Sequence, residues 1–153
     1  MTVSQTLADL GITLPEVVPP VAAYIPAKVH GDLVYTSGQL PMVNGSLPAT
    51  GKVGGEVSPE DAKAYARQSA LNAIAAAAAA VGGVDRLTGV VKVLAFVAST
   101  PDFTGQPAVV NGASELLGEV FGDAGRHARS AVATPVLPLD SPVEIEIVFS
   151  VAS

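Results

Sequence analysis

The segment SPEDAKAYARQSALNAIAAAAAAVGG, residues 58–83, constrains the fold more than any other part of the sequence. Ser58 is a good N-cap, Pro59 suits the first helical position, and Gly82 ends the pattern, so the segment predicts one long helix. One face of this helix carries only small side chains, which would let it lie close against a sheet. The residues of that face are Ala62, Ala66, Ala70, Ala73, Ala77 and Ala80.

The remaining segments predict five strands and a second helix. AYIPAKVHGDLVYTSGQLP predicts two strands joined at residues 30–32, and LTGVVKVLAFVAS predicts a strand buried on both faces. PAVVNGASELLGEVFG predicts a helix, and ARSAVATPVL and PVEIEIVFSVA predict the last two strands. The order ββαβαββ indicates an α+β fold with two helices packed on one face of a sheet. We expect one domain over residues 1–153, with residues 1–22 forming an N-terminal arm over it.

The composition argues against several classes of partner and cofactor. The formal net charge is −6 and the eight Lys and Arg residues form no basic stripe, so nucleic acid is not an expected partner. Without cysteine there can be no thiolate nucleophile, and two isolated histidines suggest no metal site. The apolar tract AIAAAAAAV is shorter than the roughly 20 residues of a membrane helix. We expect a cytoplasmic protein without membrane contact.

The last two predicted strands place one arginine in an unusual setting. In PVEIEIVFSVA the apolar side chains alternate with Glu144 and Glu146, so the apolar set is expected beneath the helices. On that side Arg129, in the preceding strand, would be a buried unpaired charge, which is costly. The sequence therefore predicts that Arg129 shares the far face of the sheet with Glu144 and Glu146.

A simple hairpin between these strands would place Arg129 opposite about Ser150, with Glu144 on the order of 20 Å away. The two side chains could then serve one small ligand only across a subunit boundary. Two interpretations of Arg129 remain open at this point. It could be an ion-pair partner at an oligomer interface, or a planar fork that binds a ligand carboxylate through two parallel hydrogen bonds.

An ordered set of motifs resembles the RidA family, also called YjgF, the reactive enamine/imine deaminases. The motifs are Tyr24, YTSGQLP at 35–41, ARQS at 66–69, Asn111, and the C-terminal stretches HARSAV and VLPLDSPVEIEI. The N-terminal arm and the glycine-rich loop at 42–57 resemble a side branch of that family. The resemblance implies a chorismate-mutase-like fold and a homotrimer with a barrel-like centre, with ligand sites in the clefts between subunits.

The resemblance also implies a reaction: hydrolysis of 2-imino acids or their enamine tautomers, of the 2-aminoacrylate type, to 2-oxo acids and ammonia. Arg129 and the Gly38 amide would hold the carboxylate, and Glu144 would orient or activate the attacking water. The other substrate-binding residues implied are Tyr24, Ser37, Asn111 and the backbone of Ala131. No cofactor is implied. Many members carry cysteine where this chain has Ala131, so a thiol has no part in the chemistry here.

Other interpretations use the same residues. A non-catalytic trimer that binds small carboxylates as a sensor or regulator would also need Arg129. The family has been linked with ribonuclease activity, which the acidic charge argues against in this chain. His127 precedes the strand of Arg129 and could contact the cleft, although a surface role is favoured. Glu146 could pair with a neighbouring subunit or with Arg129, and a structural role is favoured for it. The loop sequence GSLPATGKV has Val53 where a phosphate-binding loop needs Ser or Thr, so no nucleotide site is expected.

Overall fold

The computed structural model describes residues 1–17 and 23–153. The strands are β1 (Ala27–His30), β2 (Leu33–Thr36), β3 (Leu87–Ala98), β4 (Ala128–Thr134) and β5 (Val143–Val151). The helices are α1 (Val3–Asp9), α2 (Pro59–Val81) and α3 (Gln106–Phe121). Short 3₁₀ turns occur at Val84–Arg86, Gly122–Gly125 and Pro138–Asp140. The predicted order ββαβαββ is confirmed, and α1 precedes it.

The long helix α2 forms where its end signals place it. The Ser58 hydroxyl accepts a hydrogen bond from the Asp61 amide at 3.1 Å, and Gly82 adopts a left-handed conformation with φ 88°. All residues of the predicted alanine face are buried except Ala80, which is exposed in the last turn. α3 packs beside α2, and a Cβ at Gly112 would overlap the backbone oxygen of Lys63. The two helices can therefore approach this closely only with glycine at position 112.

The sheet order is β1-β2-β5-β3-β4, with β3 and β4 parallel and the other neighbours antiparallel. The hairpin expected between the last two strands is wrong, because β3 lies between them. β3, α3 and β4 form a strand–helix–strand crossover, which gives parallel pairing. The connection over residues 135–142 contains Pro135, Pro138 and Pro142, which lack amide donors and disfavour a tight hairpin.

The two faces of the sheet differ. On the helix face, Val93, Ala95 and Val97 of β3 are buried beside the apolar residues of β5, as its alternation predicts. The far face carries Leu94 and Phe96, which are only partly buried, and Val132, which is 42% exposed. The prediction that β3 is buried on both faces is therefore wrong for a single chain. Within the described ranges no second layer covers the far face.

The N-terminal arm is fixed on the domain through α1. The Ser4 amide and hydroxyl donate to the Asp85 carboxylate at 2.8 and 2.7 Å, and Leu7 is buried. These bonds hold the pKa of Asp85 below its usual value, the amide bond contributing most. Residues 18–22 of the predicted arm lie outside the described residues. Among those that are described, no helix is both long and apolar enough to cross a membrane.

Candidate functional site

Arg129 lies on the helix face of the edge strand β4. It is in register with Val93 of β3, which pairs in turn with Ile147 of β5. Side chains in register across a sheet point to the same face. The prediction that Arg129 shares the far face with the two glutamates is therefore wrong. The expected burial penalty does not arise, because β3 is the only described strand beside β4 and Arg129 stays half-buried at the sheet edge.

Three hydrogen bonds to neutral acceptors hold the Arg129 guanidinium. Nη1 donates to Asn111 Oδ1 at 2.9 Å and to Ser114 Oγ at 3.1 Å, and Nη2 donates to the Pro107 carbonyl at 3.1 Å. All three acceptors belong to α3. A guanidinium has five N–H donors, so two are left over. The ion pairs found among the described residues do not include Arg129, so none of these carboxylates neutralises its charge.

His127 and Ser114 continue this network. Ser114 Oγ lies 2.9 Å from His127 Nε2, and His127 Nδ1 lies 2.6 Å from the Gly125 carbonyl oxygen. His127 is half-buried and hydrogen-bonded to Ser114, which agrees with the contact to the cleft that the sequence left open beside a surface role. Two spacings could have indicated the contact. His127 lies one residue before β4 and two residues from Arg129, the spacing that shares a face along an extended chain. Asn111 and Ser114 are three apart on α3, the spacing that shares a face of a helix.

These side chains line an open cavity of about 400 Å³. We call it the arginine cavity, and its lining residues are Asn111, Ser114, Gly118, Gly125, Arg126, His127 and Arg129. The lining contains two arginines, and among the described residues it contains no carboxylate. In a chain with net charge −6, this local excess of positive charge favours a small anionic ligand.

Glu144 lies on the far face beside Gly38. A Cβ at Gly38 would come within 2.9 Å of the Glu144 carboxyl carbon, so glycine leaves the room that the carboxylate occupies. The contact follows from a bridge between Gln39 and Ile145, which exchange backbone hydrogen bonds of 2.8 and 3.0 Å. Partial burial raises the pKa of Glu144, and the Glu146 carboxylate adds to the rise. We call Gly38 and Glu144 the Glu144 site.

The other predicted site residues lie near either Gly38 and Glu144 or the arginine cavity. Ser37 donates its hydroxyl to the Ile25 carbonyl at 2.6 Å and its amide to the Pro26 carbonyl at 2.8 Å. These bonds attach the segment of Tyr24, which is 57% exposed, to the end of β2 next to Gly38. Ala131 is in register with Ala95 and lies on the face of Arg129. Asn111 bonds Arg129 directly.

Within one chain, Arg129 and Glu144 do not lie close together. Glu144 is three residues along β5 from Ile147, the position aligned with Arg129 two strands away. Strand spacing and rise put their backbones on the order of 14 Å apart, with the side chains on opposite faces. It replaces the distance of about 20 Å that a simple hairpin between β4 and β5 predicts for Arg129 and Glu144. A ligand that contacts both side chains would need a second copy of the chain. No group of His, Asp and Glu in the described ranges could hold a metal ion.

Comparisons with known proteins match nearly the whole chain. A family model described as "YjgF/chorismate_mutase-like, putative endoribonuclease" matches residues 4–151. Protein TCP17 of Trypanosoma cruzi is 40% identical over 145 residues, covering 94% of this chain and 91% of that protein. A crystal structure of a protein of unknown function from Agrobacterium tumefaciens is 40% identical with a TM-score of 0.90, covering 99% of this chain and 94% of the other. E. coli TdcF, solved with bound serine, is 28% identical with a TM-score of 0.63, covering 88% and 92%.

Proposed function

The chain belongs to the YjgF/chorismate-mutase-like family, and we propose that it hydrolyses reactive 2-imino acids, or their enamine tautomers, to 2-oxo acids and ammonia. The observation that carries this proposal is Arg129. Its guanidinium is fixed by three neutral acceptors and keeps two N–H donors for a ligand. A planar fork with an unpaired charge suits a carboxylate, which every 2-imino acid carries.

The catalytic site, in this proposal, lies between subunits of a homotrimer. The arginine cavity of one subunit faces the Glu144 site of the next, so that Arg129 and Glu144 contact the same ligand. The exposed apolar side chains of the far face, such as Val132 and Tyr35, support an assembly that covers this face. The separation of the two groups within one chain supports a shared site.

The proposed reaction begins with Arg129 and the Gly38 amide holding the carboxylate. Water adds to the carbon of the protonated C=N bond and gives up a proton to Glu144, which forms a neutral carbinolamine. The protonated Glu144 then returns that proton to the nitrogen. The C–N bond breaks and ammonia leaves as the Glu144 carboxylate accepts the proton of the hydroxyl group, which yields the 2-oxo acid. That proton then passes to ammonia, which is released as ammonium. An enamine first takes a proton on carbon to become the imine.

The environment of Glu144 suits a base. Burial and the neighbouring Glu146 raise the pKa of Glu144, which makes its carboxylate a stronger proton acceptor than an exposed one. A positioned base contributes about 10²- to 10⁴-fold in rate. Holding the substrate by its carboxylate beside the water supplies the orientation. Tyr24 would wall the cleft, and the backbone of Ala131 would bind the nitrogen end of the substrate.

Freshly generated 2-iminopropionate tests the proposal. Alanine with an amino-acid oxidase supplies the imine, semicarbazide traps what has not been hydrolysed, and the formation of pyruvate is followed. We expect the chain to accelerate hydrolysis and Arg129→Ala to remove most of the acceleration. Arg67→Ala is a matched control, because Arg67 forms an exposed ion pair with Glu119 at 2.9 Å on the helices. Equal hydrolysis with and without the protein would refute the proposal.

A trimer that binds small carboxylates without turnover is the second candidate. The serine bound to TdcF favours it, because serine carries a carboxylate but no C=N bond to hydrolyse. Calorimetric titration with 2-oxobutyrate detects binding in either case, whereas pyruvate formation from the imine requires catalysis. Binding without turnover would select the regulator.

Cleavage of RNA is less well supported. The family description includes an endoribonuclease, yet the chain has net charge −6 and only eight Lys and Arg residues. Binding to the phosphate backbone depends on several clustered cations. The arginine cavity offers two, which suits a small anion better than a polynucleotide. That nucleic acid is not a partner, and that the protein is cytoplasmic, remain predictions.

A further inference from the structure

We infer that Ser114 and His127 are positioning residues, which hold Arg129 in the orientation that binds a carboxylate. The inference rests on the proposed function, because it assigns these residues to the same site. Neither Ser114 nor His127 binds the ligand carboxylate directly in this proposal. They act through Arg129, as the direction of the hydrogen bonds between them indicates.

With a neutral imidazole at His127, the hydrogen bonds of this network all run in one direction. The Gly125 carbonyl can only accept, so His127 Nδ1 carries a proton and donates to it over 2.6 Å. In the neutral imidazole Nε2 is then an acceptor, and the Ser114 hydroxyl donates to it over 2.9 Å. The lone pairs of Ser114 Oγ remain free to accept from Arg129 Nη1 at 3.1 Å. Each group therefore fixes the orientation of the next.

This series of hydrogen bonds starts at Ser114 on α3, and its last member, Gly125, is packed against the same helix. Gly125 is buried, and a Cβ there would overlap the backbone oxygen of Leu117. The turn that carries Gly125 is therefore packed directly on α3, the helix that also carries Ser114. Gly125 and Ser114 cannot move independently, and His127 bridges them. The result is a closed loop from α3 through the turn and His127 back to Ser114 on α3, with Arg129 bonded to Ser114.

This loop makes a free arginine side chain into a preorganised one. A flexible arginine loses rotamer entropy when a ligand fixes it. Ser114 supplies one of the two acceptors of Nη1, and the other, Asn111, is exposed. Without the Ser114 hydroxyl the guanidinium would keep its bonds to Asn111 and Pro107 but could turn about them. Carboxylate affinity should then fall roughly two- to tenfold, the range of one net hydrogen bond.

Three serine variants test the first link. Ser114→Ala should raise the dissociation constant for 2-oxobutyrate by that factor, and Ser114→Thr, which keeps the hydroxyl, should restore it. The control is Ser69→Ala, since the Ser69 hydroxyl is buried on α2 without a hydrogen-bond partner in the described part of the chain. In turnover, Ser114→Ala should raise KM and leave kcat nearly unchanged, because the carboxylate is bound equally in ground and transition states. A purely structural role would give no such split.

Two variants of His127 test the second link. In His127→Gln the amide lies near the former Nε2 position and can still accept from Ser114. In His127→Asn the shorter side chain lies near the former Nδ1 position, so it can bond Gly125 but not Ser114. We expect the asparagine variant to weaken 2-oxobutyrate binding more than the glutamine variant. Equal binding in both, at wild-type strength, would overturn the role of His127.

The outcomes separate this inference from the proposed function. If the wild type binds no 2-oxobutyrate, or if Arg129→Ala binds it as well as the wild type, both fail. If Arg129→Ala abolishes binding while Ser114→Ala binds like the wild type, only the positioning role fails. Thermal unfolding of each variant is measured in parallel. A Ser114→Ala variant that loses affinity together with its folded structure, while Ser114→Thr is not rescued, also overturns the positioning role.

Discussion

Replacing Arg129 separates ligand binding from structure. Arg129→Ala removes three hydrogen bonds, but their acceptors are left at the edge of the fold, where water can replace the guanidinium. Ser114 also keeps its bond to His127. The loss of folding stability should therefore be small, about 1 kcal/mol or less. Loss of the charge-assisted pair with a carboxylate should cost about 1.5–3 kcal/mol, or roughly ten- to a hundredfold in affinity.

Lysine at position 129 should give an intermediate result. Its ammonium group has three donors and no planar fork, so bonding the acceptors of α3 competes with bonding the ligand. Arg126→Ala is the charge-matched control, because Arg126 lines the same cavity but is exposed. Removing an exposed charge should lower affinity by less than about fivefold. Arg129→Lys should lie between that control and Arg129→Ala.

The assay for these variants is calorimetric titration with 2-oxobutyrate, with light scattering on the same samples. We expect Arg129→Ala to lose binding and keep its assembly. If it keeps binding and instead dissociates into folded monomers, Arg129 is an interface residue and the ligand-binding argument fails. If Arg126→Ala loses as much affinity as Arg129→Ala, general positive charge is responsible and the fork has no specific role.

Further variants test the other parts of the account. Glu144→Gln should keep 2-oxobutyrate binding and lower kcat by about 10²- to 10⁴-fold, because the amide is not a base; unchanged turnover would make Glu144 structural. Glu146→Gln should move the acidic limb of the pH–rate profile to lower pH, since Glu146 helps to raise the pKa of Glu144, while burial keeps part of the rise; an unmoved limb would contradict that coupling. The raised pKa also means that ionised Glu144 lowers stability above the pKa of the unfolded chain, so Glu144→Gln should raise Tm more at pH 7 than at pH 4. Gly38→Ala should displace the Glu144 carboxylate, 2.9 Å from the added Cβ, and slow turnover without loss of fold. Gly112→Ala should destabilise the domain by about 1–3 kcal/mol in thermal unfolding, because its Cβ overlaps the backbone of Lys63.

The elements that the sequence predicts well are those with local signals. Ser58 and Gly82 mark the ends of α2, and the alternation in β5 identifies its buried face. The turn at Gly31, with φ 62°, joins β1 and β2 as the motif around it predicts. Each of these signals depends on neighbouring residues only, so a sequence pattern can show it.

The position of β4 was not predictable in this way. Which strand lies beside it is decided by the crossover through α3, and a strand pattern does not identify its partner. A wrong partner reverses the assigned face, and for this reason the sequence predicts Arg129 on the face of Glu144 and Glu146. The burial penalty applies to an arginine on a central strand, whereas an edge strand lets an arginine reach solvent and bond the helix beside it.

In the candidate site, too, some residues have a local sequence signal and others depend on tertiary packing. Arg129 stands out in the sequence because cations are few and it begins a strand. Ser114 and His127 do not. Their spacings place each on the face of its neighbour in the network, but whether the two faces meet depends on how α3 packs against the turn before β4. The nearness of Gly38 to Glu144 likewise comes from the bridge between Gln39 and Ile145, two segments more than 100 residues apart.

The central claim, that one site takes Arg129 from one subunit and Glu144 from another, can be tested by mixing two inactive variants. Arg129→Ala and Glu144→Gln chains are unfolded together in equal amounts and refolded, and native mass spectrometry verifies mixed trimers. A shared site is intact wherever a Glu144→Gln chain supplies the arginine and an Arg129→Ala chain supplies the glutamate. Random assembly then restores about one quarter of the wild-type imine hydrolysis. Mixed trimers as inactive as either variant alone would contradict the account.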